Sequence, residues 1–164
     1  MPKPKAKLSH TDARGRARMV DVGEKPITER IAIAEAYVTV SAALARAIRQ
    51  NQLKKGNLLE VARLAGIQAA KRTDELIPLC HSLPLDSVDV EAKLVFRRVR
   101  LTATARTHAR TGVEMEALTA VAVAALTVID MGKAIDKGMT VDGVRVIEKR
   151  GGRSGTYRAS ATEP

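Results

Sequence analysis

One segment of the chain, TGVEMEALTAVAVAALTVIDMGK at residues 111–133, has carboxylates at one end of a long apolar run and a carboxylate with a lysine at the other. Asp130 and Lys133 lie about one helical turn apart, which suits either a plain surface ion pair or an acid/base pair beside an anionic substrate. Glu116 is either a functional carboxylate or a solvated residue favoured by the dipole of a helix N-terminus. A negative charge at a helix C-terminus is unfavourable, which favours a functional Asp130.

Helical geometry separates Glu116 from Asp130. The fourteen residue steps from Glu116 to Asp130 span roughly 21 Å at ~1.5 Å per residue, and the two side chains lie about 40° apart around the axis. They share a face but cannot share a small-molecule site within one protomer. We expect either two sites on one helix or an antiparallel copy that brings Glu116 of one subunit to Asp130 of another.

Three further motifs are weaker. Thr111 and Glu114 have the spacing of a capping box, so we expect Glu114 to cap the helix. Cys80 and His81 are adjacent, and adjacent residues rarely present both side chains to one substrate atom. The GGRSG segment at residues 151–155 is either a flexible tail or a turn that binds phosphate through its backbone. The three histidines and one cysteine lack zinc-ligand spacing, and we expect neither a metal nor a cofactor.

The periodicity of the remaining sequence indicates the elements that must position these residues. Alternating apolar residues predict a strand at residues 31–40 and a β-hairpin on either side of residues 96–98. Ser41 suits the N-cap of a helix, and a second helix is predicted over residues 58–76. A short helical turn at residues 133–137 and a strand at residues 143–148 follow the long helix. The order predicts an α+β fold, a ferredoxin-like antiparallel or mixed sheet with helices packed on one face.

Every face of the long helix is apolar, and such a helix needs cover on both sides. The sheet can supply one cover. A second subunit packed on the stripe of small residues could supply the other, so we predict a homo-oligomer with a two-fold interface on this helix.

The length of 164 residues fits one domain. We expect a flexible basic arm at residues 1–18, a single catalytic domain at residues 19–158 and a tail at residues 159–164. One cysteine excludes an internal disulfide, and neither a signal peptide nor a run long enough to span a bilayer is present, which predicts a cytoplasmic protein.

The net charge of +10 indicates an anionic partner, either nucleic acid, an acidic membrane or a phosphorylated metabolite. With no Trp, one Phe and two Tyr, the chain has few aromatic platforms for single-stranded nucleic acid. This weakens the case for nucleic acid without removing it, because duplex binding needs only phosphate contacts. Our expectation is no nucleic acid and no membrane as partner. The rival hypothesis is a basic nucleic-acid-binding or scaffold protein without chemistry, which would bind DNA with a steep salt dependence.

Five ordered motifs together resemble the molybdenum cofactor biosynthesis protein C family. They are ARMVDV at residues 17–22, AGIQAAKRT at 65–73, LIPLCH at 76–81, TGVEMEALTA at 111–120 and DMGKA at 130–134. The resemblance covers nearly everything between residues 8 and 157. It implies a ferredoxin-like fold and a hexamer built from dimers, with sites at subunit interfaces.

The same resemblance implies a lyase that converts 3′,8-cyclo-7,8-dihydroguanosine triphosphate to cyclic pyranopterin monophosphate and releases pyrophosphate. It places catalysis on Asp130, Lys55 and Lys133. It assigns substrate binding to Leu79, Cys80, His81, Met115, Glu116, Lys149 and Arg30. Two positions depart from the family pattern, since Arg153 stands where lysine is frequent and Asn57 where aspartate is common.

Overall fold

The described part of the chain is one antiparallel sheet with a layer of helices on one face. The computed structural model describes residue 11 and residues 14–160, so the predicted arm and tail lie mostly outside the described residues. In chain order the elements are β1 (Thr28–Thr39), α1 (Ala42–Arg49), α2 (Leu58–Ala70), α3 (Thr73–Leu76), β2 (Leu85–Val95), β3 (Arg98–Ala109), α4 (Glu114–Gly132), β4 (Thr140–Arg150) and β5 (Tyr157–Arg158).

The strand order of the sheet is β2-β3-β1-β4-β5, and every neighbouring pair is antiparallel. The first four strands with their helical connections have the ferredoxin-like arrangement. The predicted α+β class is therefore confirmed, and the sheet is antiparallel rather than mixed. The short edge strand β5, which pairs Tyr157 with Lys149, was not indicated by the sequence pattern.

Small apolar residues on β1 and β3 form the face of the sheet against which the helices pack. Alternate residues of β1, Ala32, Ala34 and Ala36, are fully buried, as are Ala103 and Ala105 on the neighbouring β3. Period-two alternation explains why these strands have one apolar face. The short side chains allow α4, which packs on both strands, to approach the sheet closely.

The second cover of α4 comes from α2 of the same chain. A Cβ added at Gly66 of α2 would lie 2.9 Å from the carbonyl oxygen of Ala120 on α4 and 3.2 Å from a methyl group of Val90. Only glycine permits this approach, because a real Cβ would overlap both neighbours. The cover of the small-residue stripe that the sequence analysis assigned to a second subunit is therefore supplied by α2. Apolar side chains that stay exposed on these two helices include Val61, Leu64 and Leu126.

By length and composition, α4 is the one helix in the described part of the chain that could cross a membrane. More than half of its most apolar window is buried. The helix lies between the sheet and α2. This packing is typical of the core helix of a globular fold.

Local hydrogen bonds correct two predicted helix boundaries. The helix predicted over residues 58–76 ends at Ala70, and a short α3 begins at Thr73, whose hydroxyl donates to the Ala70 carbonyl at 3.0 Å. The predicted helical turn at residues 133–137 does not form a separate helix. It is a hydrogen-bonded turn at the end of α4, in which the amides of Ile135 and Asp136 both donate to the Gly132 carbonyl. The predicted cap by Ser41 is confirmed, since its hydroxyl accepts from the Leu44 amide at 3.2 Å.

A buried carboxylate organises the opposite, polar face of the sheet. Glu35 is 3% exposed and accepts hydrogen bonds from Arg145 at 2.8 and 2.9 Å and from the Tyr37 hydroxyl at 2.9 Å. Burial alone would raise the pKa of Glu35, but these bonds and the nearby Arg100 lower it below its usual value. The carboxylate therefore stays charged and ties β1 to β4 and β3.

We predict that Gly66→Ala destabilises the fold by about 1–3 kcal/mol, because the added methyl group overpacks the contact between α2 and α4. Urea denaturation measures this change. Gly138→Ala is the matched control, since its added Cβ would meet only a side-chain oxygen of Asp136 at 3.6 Å. Equal stability of the two variants would show that α2 does not lie against α4.

Candidate functional site

The structure divides the predicted site residues between the two ends of α4. Glu116 lies in the first turn of this uninterrupted helix and Asp130 in the last, so the predicted separation of roughly 21 Å along the axis holds. The N-terminal end gathers Leu79, Cys80, His81, Met115, Glu116, Arg30 and Lys149. The C-terminal end gathers Lys55, Asp130 and Lys133. One chain therefore contains two clusters that do not meet.

A pocket of about 430 Å³ lies at the start of α4, and we call it the α4 N-terminal pocket. The loop after α3 contributes Leu79, Cys80 and His81, and the first turn of α4 contributes Met115 and Glu116. The loop residues can reach the first turn of α4 because α2 ends at Ala70, and the chain leaves the helix direction before Leu79. All five residues that the family resemblance assigns to this group are thus brought together.

His81 is held in one orientation by the segment that precedes β1. Its Nε2 lies 2.7 Å from the carbonyl oxygen of Val20. A carbonyl only accepts hydrogen bonds, so Nε2 carries the proton in this contact. In the neutral imidazole this leaves Nδ1 as an acceptor. Val20 also lines the pocket, which explains why the ARMVDV segment belongs to the same group of motifs.

Glu116 is a buried carboxyl at the wall of the α4 N-terminal pocket. It is 4% exposed. Burial, together with the neighbouring Glu114 and Asp74 carboxylates, raises the pKa of Glu116 to about 7. A group that titrates near neutral pH can donate a hydrogen bond when protonated and accept one when ionised. This makes Glu116 chemically distinct from a solvated first-turn glutamate.

Cys80 is poorly suited to act as a nucleophile. Burial raises the pKa of its thiol, and the nearby Glu116 and Asp74 carboxylates raise it further. The thiolate is the reactive form of cysteine. Cys80 therefore lines the pocket as a thiol.

Glu114 does not cap α4 as its spacing with Thr111 suggested. The N-cap is Val113, which makes no side-chain capping bond, and Glu114 instead accepts a hydrogen bond from Lys149 at 3.0 Å. Its carboxylate folds back over Gly112, where an added Cβ would lie 1.9 Å from Oε2. Glu114 thus forms an ion pair with a strand that is distant in sequence instead of a local cap. The spacing of residues along the helix could not reveal this ion pair.

Arg30 and Lys149 lie beside each other because β1 and β4 pair in register, with Lys149 opposite Ala32. Both line a narrow cleft of about 90 Å³ together with Glu114. The backbone of Gly152 packs on the Arg30 guanidinium so closely that an added Cβ would lie 1.8 Å from Nη1. The glycine-rich segment after β4 is therefore fixed against the site.

The Asp130 cluster consists of Asp130, Lys55 and Lys133. One carboxylate oxygen of Asp130, Oδ2, lies 2.8 Å from Lys55 Nζ. The other, Oδ1, lies 2.7 Å from Lys133 Nζ. These two ammonium groups lower the pKa of Asp130 to about 2. Lys55 also donates to the Asp130 main-chain carbonyl at 3.1 Å, at the exposed end of α4. The carboxylate is therefore ionised at neutral pH and aligns two ammonium groups.

Several residues that face the N-terminal cluster were missed from the sequence. Lys25, Thr28 and Arg110 line a second, basic pocket that shares Gly112 with the first. Arg110 immediately precedes the TGVEME motif, and that proximity was the available signal.

Asn57, one of the two departures, accepts from the Glu60 amide at 3.1 Å as the N-cap of α2, a role that aspartate serves equally well. No group of three or more His, Cys, Asp or Glu that could hold a metal occurs among the described residues.

Ionisable groups with displaced pKa values beside a pocket of small-molecule size are typical of enzymes that act on small molecules. Comparison with known proteins gives its family. A model of the MoaC family matches residues 19–152, and the chain belongs to this family.

Relatives named cyclic pyranopterin monophosphate synthase match almost the whole chain. The protein of Thermomicrobium roseum is 56% identical over 160 residues, which cover 96% of each chain. That of Novosphingobium aromaticivorans is 54% identical and covers 93% of this chain and 98% of its own. That of Streptomyces griseus is 53% identical, with 96% and 89% covered.

We predict that Glu116→Gln removes a step in the pH dependence of stability. The folded-state pKa of about 7 lies above the ordinary glutamate value of 4.5, so the folded chain binds this proton more tightly than the unfolded chain. The free energy of unfolding then falls as pH rises from the lower value to the upper one, by roughly 2–3 kcal/mol, and is constant above it. Urea denaturation at several pH values measures this. Glu91→Gln is the matched control, because Glu91 is an exposed carboxylate on β2, and this variant should keep the wild-type pH profile. An unchanged pH profile in Glu116→Gln would show that Glu116 titrates normally.

Proposed function

We propose that this chain is a lyase of molybdenum cofactor biosynthesis. It converts 3′,8-cyclo-7,8-dihydroguanosine 5′-triphosphate to cyclic pyranopterin monophosphate and pyrophosphate. The supporting observation is that the two clusters at the ends of α4 contain every residue that the family resemblance assigns to this chemistry. The names of the relatives agree, and nothing in the comparisons favours a nucleic-acid-binding or scaffold protein.

The α4 N-terminal pocket is suited to the heterocycle of this substrate. Leu79 and Met115 offer apolar surface, while His81 and Glu116 offer polar groups at its wall. Arg30 and Lys149 lie next to the pocket and bind phosphate oxygens, since charge-assisted hydrogen bonds to phosphate are strong. In the substrate complex, Lys149 exchanges part of its contact with Glu114 for a contact with phosphate.

The Asp130 cluster supplies proton transfer during opening of the purine ring and closure of the pterin ring. Asp130 is ionised and holds Lys55 and Lys133 by hydrogen bonds to separate oxygens. The ammonium groups are the proton donors, and Asp130 fixes their positions. In the final step a ribose-derived hydroxyl loses its proton and attacks the α-phosphate. A new P–O bond forms, and the bond to the β-phosphate breaks to release pyrophosphate.

Because α4 separates the clusters, we propose that two protomers build each site. Met115 and Glu116 of one subunit meet Asp130 and Lys133 of its neighbour across a two-fold axis, and three such dimers form a cytoplasmic hexamer. The exposed side chains of Leu126 (61%) and Leu64 (53%) support an interface on the helical layer.

We predict that Asp130→Asn abolishes turnover while the fold is retained, because a neutral amide cannot hold two ammonium groups. Pyrophosphate release from the cyclised dihydro-GTP substrate measures turnover, and thermal unfolding tests the fold. Asp142→Asn is the matched control, since Asp142 is an exposed carboxylate on the polar face of the sheet whose ion-pair partner among the described residues is Arg98. Wild-type turnover by Asp130→Asn would remove Asp130 from the mechanism.

Mixing two inactive variants tests the shared site. If Glu116→Ala and Asp130→Asn each abolish turnover, dimers refolded from an equal mixture should regain about one quarter of wild-type activity, since half are mixed and each mixed dimer has one intact site of two. Analytical ultracentrifugation gives the oligomeric state of the same samples. No recovery from mixed oligomers would show that both clusters act within one chain.

A further inference from the structure

The Asp130 cluster lies at the open end of α4 and does not hold its own geometry. The side chains of Lys55, Asp130 and Lys133 are each more than half exposed. Exposed ion pairs contribute little to stability, because water screens the charges and the long side chains lose conformational freedom. The positions of the two ammonium groups therefore depend on the main chain that carries each lysine.

Each lysine lies in a turn that is attached to the end of a helix. Lys55 lies in the loop after α1, and the Gln52 amide at the start of this loop donates to the Ala47 carbonyl of α1 at 3.0 Å. Lys133 is the C-cap of α4, and its amide donates to the Ile129 carbonyl at 2.9 Å. The distance between the two ammonium groups therefore depends on the position of α1 relative to the end of α4.

One contact between α1 and the end of α4 is apolar. The Leu44 side chain of α1 is fully buried and packs on Gly132, where an added Cβ would lie 2.6 Å from the leucine Cδ2. Apolar contacts have no preferred direction. This contact thus brings the two helices together, but it does not fix the turn that carries the chain from Lys133 towards β4.

A buried carboxylate in that turn makes a directional contact. Asp136 is 9% exposed, and its Oδ2 accepts a hydrogen bond from the Ser41 amide, at the start of α1, at 2.6 Å. Its Oδ1 accepts from the Gly138 amide at 2.9 Å. The hydrogen bond from the Ser41 amide lowers the pKa of Asp136, although burial opposes this shift. The carboxylate is therefore ionised at neutral pH, and hydrogen bonds to an ionised acceptor are the strong ones.

Asp136 completes the N-terminus of α1. In a capping box, a glutamate or glutamine at the third helical position accepts a hydrogen bond from the amide of the N-cap residue. The third residue of α1 is Leu44, and no acidic residue occurs in the first turn of this helix. The carboxylate that receives the Ser41 amide comes instead from the turn after α4, 95 residues away in the sequence. The turn that begins at Lys133 is thus attached to the helix that leads to Lys55.

We propose that Asp136 is a positioning residue that fixes the distance between Lys55 and Lys133 in the Asp130 cluster. Its importance for turnover rests on the proposed function. Both carboxylate oxygens of Asp136 already accept from main-chain amides, so this residue acts through the two proton donors and not on the substrate. A displacement of a catalytic group by about 1 Å can lower a rate about a hundredfold.

Asp136→Asn tests this contact in the full chain without any substrate. Asparagine has a single acceptor oxygen, so one of the two amides that bind Asp136 loses its acceptor. Competitive acetylation with a limiting amount of reagent, quantified by mass spectrometry, reports how far each lysine amine is engaged. Labelling of Lys55 and Lys133 should rise about threefold, because their ion pairs with Asp130 are lost. Lys93 is the matched control, since it is an exposed, ion-paired lysine on β2, and its labelling should stay unchanged.

Turnover measures the consequence for the reaction. Asp136→Asn should lower kcat for pyrophosphate release about tenfold and change KM by less than about twofold, because the α4 N-terminal pocket lies at the other end of the helix. Glu35→Gln is the matched control, since it also converts a buried carboxylate to an amide, on the opposite face of the sheet from the helices. It should lower stability and keep the wild-type kcat. If Asp136→Asn does not fold, Asp136→Glu keeps the charge, displaces it by one methylene group and should show the same loss of kcat.

The possible results separate the positioning role from the proposed function. Unchanged labelling of Lys55 and Lys133, or normal kcat despite faster labelling, would overturn the positioning role. An equal loss of kcat in Glu35→Gln would also overturn it, because lower stability would then explain the slower reaction. Absence of turnover in wild-type protein, together with faster labelling of both lysines in Asp136→Asn, would overturn the lyase and leave the contact between Asp136 and α1 in place.

Discussion

The close packing of α4 between the sheet and α2 is the constraint on which the rest of the structure depends. Alanines on β1 and β3 lie beneath the helix, and Gly66 of α2 lies against the Ala120 carbonyl on its other side. A helix held this tightly cannot bend without opening the core, because interiors at this density have no space to absorb a shift. The distance and the angle between the groups at its two ends are therefore fixed properties of the fold.

The two ends use carboxylates in opposite ways. Burial near Glu114 and Asp74 raises the pKa of Glu116 to about 7, whereas Lys133 and Lys55 lower that of Asp130 to about 2. Desolvation controls the first group, and charge-assisted hydrogen bonds control the second. One end thus offers a group that can carry a proton at neutral pH, and the other offers a permanent anion that aligns two proton donors. Residue type alone could not have distinguished these two carboxyl groups.

The sequence predicted the parts of the fold that depend on local pattern. The hairpin followed from period-two alternation, α1 from the cap at Ser41, and the ferredoxin-like arrangement from the order of elements. The predictions that were wrong concern contacts between distant residues. Glu114 pairs with Lys149 on β4 instead of capping its own helix, and Gly66 brings α2 onto a surface that had been assigned to another subunit. The motifs identified both clusters, but only the fold shows that Gly112 joins the α4 N-terminal pocket to a basic one.

The covered surface of α4 changes the reason for expecting an oligomer. The apolar circumference of this helix no longer requires a partner, because α2 and the sheet cover most of it. The requirement comes from chemistry. A reaction that needs the groups at both ends of a rigid helix at one substrate cannot take place on one chain, since no rotation of side chains spans roughly 21 Å. A second helix of opposite direction resolves this, and two-fold symmetry then creates two equivalent sites at once. In the proposed function the α4 N-terminal pocket holds the substrate on one chain, and the partner contributes Lys55, Asp130 and Lys133.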